Sequence, residues 1–141
     1  MSKIAVVYWS GTGNTEKMAS SVLEGARNAG AEVELFEAGN FSSDEVDKYE
    51  AIAFGCPSMG NENLEEGEFE PMFESCKAKL NNKKIGLFGS YGWGDGEWMR
   101  NWEEDCLVNG AKIVSDCVMA NNEPDEEALE NCIELGKALA K

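Results

Sequence analysis

Histidine is absent from the 141 residues, and the five cysteines, Cys56, Cys76, Cys106, Cys117 and Cys132, are odd in number, far apart and without a C-x-x-C pair. Without an imidazole there can be no Ser-His or Cys-His nucleophile pair, whose hydroxyl or thiol needs that base. The same absences argue against a zinc site and a disulfide framework. Cations are scarce: 12 Lys plus Arg stand against 27 Asp plus Glu, a formal charge of -15. Binding nucleic acid needs basic groups that displace counterions, so nucleic acid is a poor partner. Long apolar runs are missing as well. Ile4 to Tyr8 is far shorter than a signal-peptide core, and nothing approaches the roughly 18 apolar residues of a membrane helix. The expectation is a cytoplasmic protein with no membrane partner.

What is present suits a globular fold. Hydrophobic residues make up 43% and aromatics 9%, enough for a core, and the length fits a single domain over 1–141. Lys3 to Tyr8 is a continuous β-rich run that reads as a strand buried on both faces. From Thr15, Met18, Ala19, Val22, Leu23 and Ala26 fall at helical spacing, and Gly30 stops that helix. Further strands are predicted at Ala31 to Phe36, Tyr49 to Gly55, Ile85 to Gly89 and Lys112 to Val118. Helices are predicted through Phe73 and Ala78, over Glu97 to Val108, and after Pro124, where Asp125, Glu126 and Glu127 suit a helix start. Strands alternating with helices predict a doubly wound, five-stranded parallel sheet with helices on both faces. Ligands of such sheets bind beyond the carboxyl ends of the strands, which directs attention to the loops after strands one, three and four.

After strand one the chain reads Ser10-Gly11-Thr12-Gly13-Asn14-Thr15-Glu16. Glycines let backbone fold round an anion, N–H groups and hydroxyls donate to it, and a helix N-terminus adds a favourable dipole, so this loop suits a phosphate. It lacks the lysine of a nucleoside-triphosphate loop, and Glu16 stands where a dinucleotide fingerprint has its third glycine. A plain Gly-rich turn with a Ser/Thr helix cap remains the bland alternative. After strand three comes Cys56-Pro57-Ser58-Met59-Gly60-Asn61-Glu62, and after strand four Ser90-Tyr91-Gly92-Trp93-Gly94-Asp95-Gly96-Glu97. Met59 and Trp93 across a slot would admit a flat ring, unless both merely anchor their loops on the core. A phosphate loop beside an apolar slot suggests flavin mononucleotide (FMN) or another aromatic phosphate ester.

Ser10 to Thr15 resembles the phosphate signature of flavodoxins. Met59-Gly60-Asn61-Glu62 and Gly89-Ser90-Tyr91-Gly92-Trp93-Gly94 are similar to the two flavin-flanking loops of the clostridial-type members. The likeness spans essentially the whole chain and its short-chain branch, since the last strand passes into Asn121 and Asn122 without a long insertion. The resemblance implies the strand order 2-1-3-4-5, for which flavodoxin is itself a standard example. It implies non-covalent FMN, with its phosphate held by Ser10, Gly11, Thr12, Gly13, Asn14 and Thr15 and approached by Ser90. Met59 and Trp93 would cover the ring faces, Glu62 would accept from the ring N3–H, and Tyr91, Gly92 and Gly94 would lie near the pyrimidine edge. Pro57 and Ser58 complete the set, Pro57 standing where some relatives carry a hydroxyl.

The resemblance further implies a low-potential one-electron carrier, not an enzyme, that shuttles between semiquinone and hydroquinone. The redox switch would be the Gly60-Asn61 peptide, in a type II' turn over Met59 to Glu62 with φ above zero at Gly60. Asn61 stands where many relatives have aspartate. Negative surroundings oppose the second electron. One unit charge at about 8 Å in an effective dielectric of about 20 costs about 2 kcal/mol, or roughly 90 mV. Glu62, Glu65, Glu66, Glu68, Glu70, Asp95 and Glu97 would form an acidic face for redox partners with basic docking patches, the protein being a monomer; a solvated charge run is the bland alternative. Cys56 and Cys117 read as core residues, not redox thiols. An FMN-dependent NAD(P)H quinone or nitro-compound reductase of the same fold is the alternative function, although the chain leaves little sequence for a second pocket. A phospho-acceptor receiver domain lacks its acidic cluster in Tyr8-Trp9-Ser10 and its aspartate in Gly55-Cys56-Pro57.

Overall fold

The structure is a computed structural model and describes residues 2–60 and 62–141. Its elements in chain order are β1 (Lys3–Tyr8), α1 (Asn14–Asn28), β2 (Glu32–Glu37), α2 (Ser43–Val46), β3 (Ala51–Gly55), α3 (Phe69–Cys76), β4 (Lys84–Tyr91), α4 (Glu97–Val108), β5 (Lys112–Ile113), β6 (Val118–Asn121) and α5 (Glu126–Leu139). All strand pairs are parallel, in the order β2-β1-β3-β4-β5, with β6 also beside β4.

The two faces of the sheet are packed differently. Period-two alternation sends Ile52, Phe54, Ile85 and Leu87 toward α3 and α4, where they meet Phe69, Phe73, Trp98 and Trp102. Phe54 contacts Phe69 and Phe73 edge-on, the arrangement that ring quadrupoles favour. Ala51 and Ala53 face the other way, with Ile4 and Val6, toward Met18 and Val22 of α1 and Leu135 and Leu139 of α5. Small residues also let those two helices approach closely. A Cβ on Gly25 would overlap the Ile133 carbonyl, and one on Gly136 the Val22 carbonyl.

The third strand begins at Ala51 and not at Tyr49, β2 is shifted one residue along to Glu32–Glu37, and larger differences from the sequence-based expectations fall in three places. The predicted strand Lys112 to Val118 is two short strands, β5 and β6, separated by residues 114–117, although Val114 N–H still donates to Ile85 O at 3.1 Å. The fourth strand runs on to Tyr91, so Ser90 and Tyr91 belong to β4 and not to the loop. The predicted helix through Ala78 ends at Cys76 and tightens into a single 3-10 turn over Lys77–Lys79. The short α2 had no periodic signal, as one turn is too brief to show one. No helix among the described residues is long and apolar enough to cross a membrane.

Candidate functional site

Hydrogen bonding continues past the strand ends and stitches the loops of one sheet edge together. Trp9 N–H donates to Gly55 O at 3.0 Å, Cys56 N–H to Phe88 O at 3.1 Å, Ser58 N–H to Ser90 O at 2.9 Å and Asn122 N–H to Tyr91 O at 2.7 Å. A cleft of about 250 Å³ opens among these loops. Of the expected site residues, Gly11, Thr12, Asn14, Pro57, Ser58, Met59, Ser90, Tyr91 and Gly92 line it. Two other recesses, of about 210 and 360 Å³, flank β6 and α5, but no loop after β1 or β3 reaches them.

In the loop after β1 the hydroxyls are organised by the backbone. Ser10 Oγ accepts from Gly13 N–H at 3.0 Å and Glu16 N–H at 3.3 Å. Both lone pairs are then used, so the hydroxyl proton remains for an acceptor. Thr15 Oγ1 lies 3.0 Å from Ser90 Oγ, with both residues buried. One hydroxyl donates to the other, and the second proton is again left over. Gly13 starts α1 at φ 97°, a conformation that glycine adopts without strain. The loop therefore presents hydroxyl protons and a helix N-terminus, with no cation of its own, to whatever occupies the cleft.

The loops after β3 and β4 are organised by carboxylates. Met59 and Asn63 exchange two backbone hydrogen bonds of 2.8 Å, so the hairpin closes one residue later than the expected four-residue turn. Gly60 has the expected positive φ, at 50°, and Glu62 follows with φ 58°. Asn61, expected in the switch, lies outside the described residues. Glu62 Oε2 accepts from Trp98 N–H at 3.2 Å, in the first turn of α4, and the same carboxylate occupies the space a Cβ on Gly94 would need. Glu65 folds back on its own loop, accepting from Gly67 N–H at 2.7 Å and from Glu68 and Phe69 N–H at 2.8 Å. Burial alone would raise the Glu65 carboxyl. The hydrogen bonds from Phe69, Glu68 and Gly67 outweigh it and hold the group below its ordinary value.

Trp93 is 59% exposed and stands outside the cleft lining, whereas Met59 belongs to it. Two lining residues were not singled out from sequence, Trp9 and Asn122. Trp9 precedes the phosphate-like loop directly and rests on Gly11, where an added Cβ would lie 3.0 Å from its ring. An aromatic placed between a buried strand and a glycine loop was the available signal. Asn122 has φ 59°, which asparagine tolerates, and the Asn121-Asn122 pair could have marked that turn.

None of the five cysteines lines the cleft. Cys56 is fully buried, receives Glu65 N–H at 3.3 Å, and is pushed up to about 12 by burial. Burial, followed by a hydrogen bond to Glu103, raises the Cys117 thiol as well.

Comparison with known proteins covers the chain almost end to end. The family model described as Flavodoxin matches residues 6–136. A flavodoxin of Clostridium beijerinckii is 47% identical over 135 residues, 96% of this chain and 97% of that protein. A flavodoxin of Megasphaera elsdenii is 45% identical over 138 residues, 98% of each chain. The solution structure of the two-electron reduced Megasphaera elsdenii flavodoxin superposes with a TM-score of 0.87, covering 97% of this chain and 98% of that one.

Proposed function

The chain belongs to the flavodoxin family, an FMN-binding electron-transfer protein and not an enzyme, and from that premise we propose which of its residues hold the cofactor and meet its partners. Bound FMN supplies a ring that takes up and releases electrons singly; binding and tuning fall to the protein. The observation that carries the assignment is the pair of leftover hydroxyl protons, one at Ser10 and one at Thr15–Ser90, beside a helix N-terminus. They lack acceptors among the described hydrogen bonds, and phosphate oxygens would supply them. We assign the phosphate to Ser10 through Thr15 with Ser90. The ring goes to the cleft beside Met59, Pro57 and Ser58, with Trp9 and Asn122 added to its walls.

Trp93, exposed at the rim, is assigned to the outer face of the ring. Glu62 has one oxygen engaged with Trp98 N–H and offers the other to a ring N–H. Gly60, already at positive φ, and Asn61 are assigned the peptide that responds to the redox state. The whole of 1–141 serves as one FMN domain.

Electron carriers of this family serve redox partners, and here we assign the docking role to carboxylates that the fold leaves free. Glu65 is committed to α3, and Asp95 pairs with Arg100 at 3.0 Å. Glu66, Glu68 and Glu97 are exposed, Glu97 at the start of α4 just after the loop that carries Trp93. A monomer working in the cytoplasm and presenting this face would attract basic patches.

The test is an anaerobic reductive titration of the FMN-loaded protein, with NAD(P)H tried before dithionite. Inertness to NAD(P)H alone and uptake of two electrons at separate potentials are expected. Direct two-electron reduction by NAD(P)H would overturn the carrier assignment, and an apoprotein that does not quench FMN fluorescence would overturn the site.

A further inference from the structure

The loop assigned to the phosphate contains no cation, yet the first turn of α1 carries a carboxylate, Glu16, directly after it. Its backbone N–H helps to order the loop through Ser10 Oγ at 3.3 Å. Its side chain turns the other way. Glu16 Oε2 accepts from Tyr8 Oη at 3.2 Å, across the base of the loop. Tyr8 is the last residue of β1, only 6% exposed, and is fixed in the core among Met18, Ala19 and Val22. Its register partner on β2 is Glu37, a second carboxylate at this edge. The neighbouring cation, Lys17, is 3.7 Å from Glu123 and does not pair with Glu16.

We propose that Tyr8 is a positioning residue for the phosphate loop: its hydroxyl tethers the Glu16 carboxylate to the end of β1 and stops that charge from swinging over the anion site. The proposal rests on the assignment of Ser10 to Thr15 to the phosphate. Glu16 is exposed and has several rotatable bonds, so without a tether it samples positions on the loop side of α1. A negative charge there opposes a phosphate from well within a Debye length, most strongly at low ionic strength. The tyrosine is suited to the task because its rigid ring is held by packing and leaves only the hydroxyl to reach out. Burial raises the hydroxyl above its ordinary value, and the hydrogen bond and charge of Glu16, with the charge of Glu37, raise it further. It therefore remains a proton donor throughout the neutral range.

The test measures dissociation constants of the full-length apoprotein for FMN and for riboflavin, which lacks the phosphate, by quenching of flavin fluorescence at low ionic strength. In the parent, FMN binds far more tightly than riboflavin. Tyr8→Phe, which keeps the packed ring, weakens FMN about three- to tenfold and leaves riboflavin within about twofold. Adding Glu16→Gln to Tyr8→Phe restores FMN to within about twofold of the parent. The tether is overturned if Tyr8→Phe leaves FMN unchanged, if it weakens both ligands equally, or if the second substitution gives no recovery. Equal affinity of the parent for the two ligands overturns the loop assignment itself, and the tether with it.

Discussion

The loop after β1 and the loops after β3 and β4 share one sheet edge but are held in shape by different groups. The first is ordered by neutral hydroxyls, Ser10 on two backbone N–H groups and Thr15 on Ser90, most of them withdrawn from solvent. The others are ordered by carboxylates, Glu62 on α4 and Glu65 on the start of α3, around residues at positive φ. On the proposed assignment of phosphate and ring, the difference matches what each loop would face. A loop that receives an anion cannot use a carboxylate as its scaffold, since the scaffold would repel the ligand. A loop that borders a ring accepting electrons can, and each charge it carries then acts on the second electron. Affinity and potential should therefore be separable by mutation.

The largest effect is expected at the hydroxyl pair. Thr15→Val keeps the shape of the side chain and removes its oxygen, leaving the buried Ser90 hydroxyl with one partner fewer. An unmade buried hydrogen bond costs about 2 kcal/mol, or roughly thirtyfold in FMN affinity. Riboflavin, titrated in parallel, should lose less than threefold. Equal losses would place the pair outside the phosphate site.

Trp93→Ala attacks the other region. If the indole covers the ring, truncation costs about 1.5 kcal/mol, roughly tenfold, for FMN and riboflavin alike, since the phosphate plays no part. The potential of the second one-electron step should rise as the ring gains solvent. An unchanged potential and affinity would leave Trp93, already 59% exposed, as a surface residue.

Glu65→Gln tests whether the scaffold carboxylate is structural. It should cost about 1 kcal/mol in a denaturant melt, the usual value of a helix cap. The pH dependence has a definite sign. The folded-state value is held below the unfolded one, so the stabilisation is complete above the unfolded value of about 4.3 and is lost as pH falls through the folded value. The parent should thus lose an acid-labile increment that the Gln variant lacks, and identical acid melts would deny the cap its charge.

Much of this division was legible in the sequence. β1 and α4 begin and end where their patterns place them, because a glycine cluster follows one and glycines precede the other. The loop after β1 was legible because glycine and hydroxyl residues advertise their use. The β5–β6 split was not, since a parallel edge strand with one bonded neighbour can break without breaking its hydrophobic pattern. The scaffold roles of Glu62 and Glu65 were hidden, since the sequence reading assigned Glu62 to the ring and both to an acidic docking face. Which of its members turns inward depends on where helix N-termini arrive, a tertiary fact. Trp9 did carry a local signal, an aromatic between a buried strand and a glycine loop, but its place in the wall is set by the backbone bond to Gly55.

The smallest expected effect is also the sharpest test of the hairpin. Gly60 has φ 50°, and a Cβ built on it meets nothing within 4 Å, so Gly60→Ala has no steric clash to confuse the result. Only the backbone preference is charged, about 1 kcal/mol in the left-handed region. If the peptide after Gly60 changes orientation between redox states, that cost falls unequally on the two, and the first one-electron potential should move by up to about 40 mV, the equivalent of about 1 kcal/mol. The second potential, governed by the surrounding carboxylates, should move less. A first potential that stays put while the melt loses the same 1 kcal/mol would show that Gly60 holds one conformation throughout, and the response to reduction would then have to be sought elsewhere in the loops after β3 and β4.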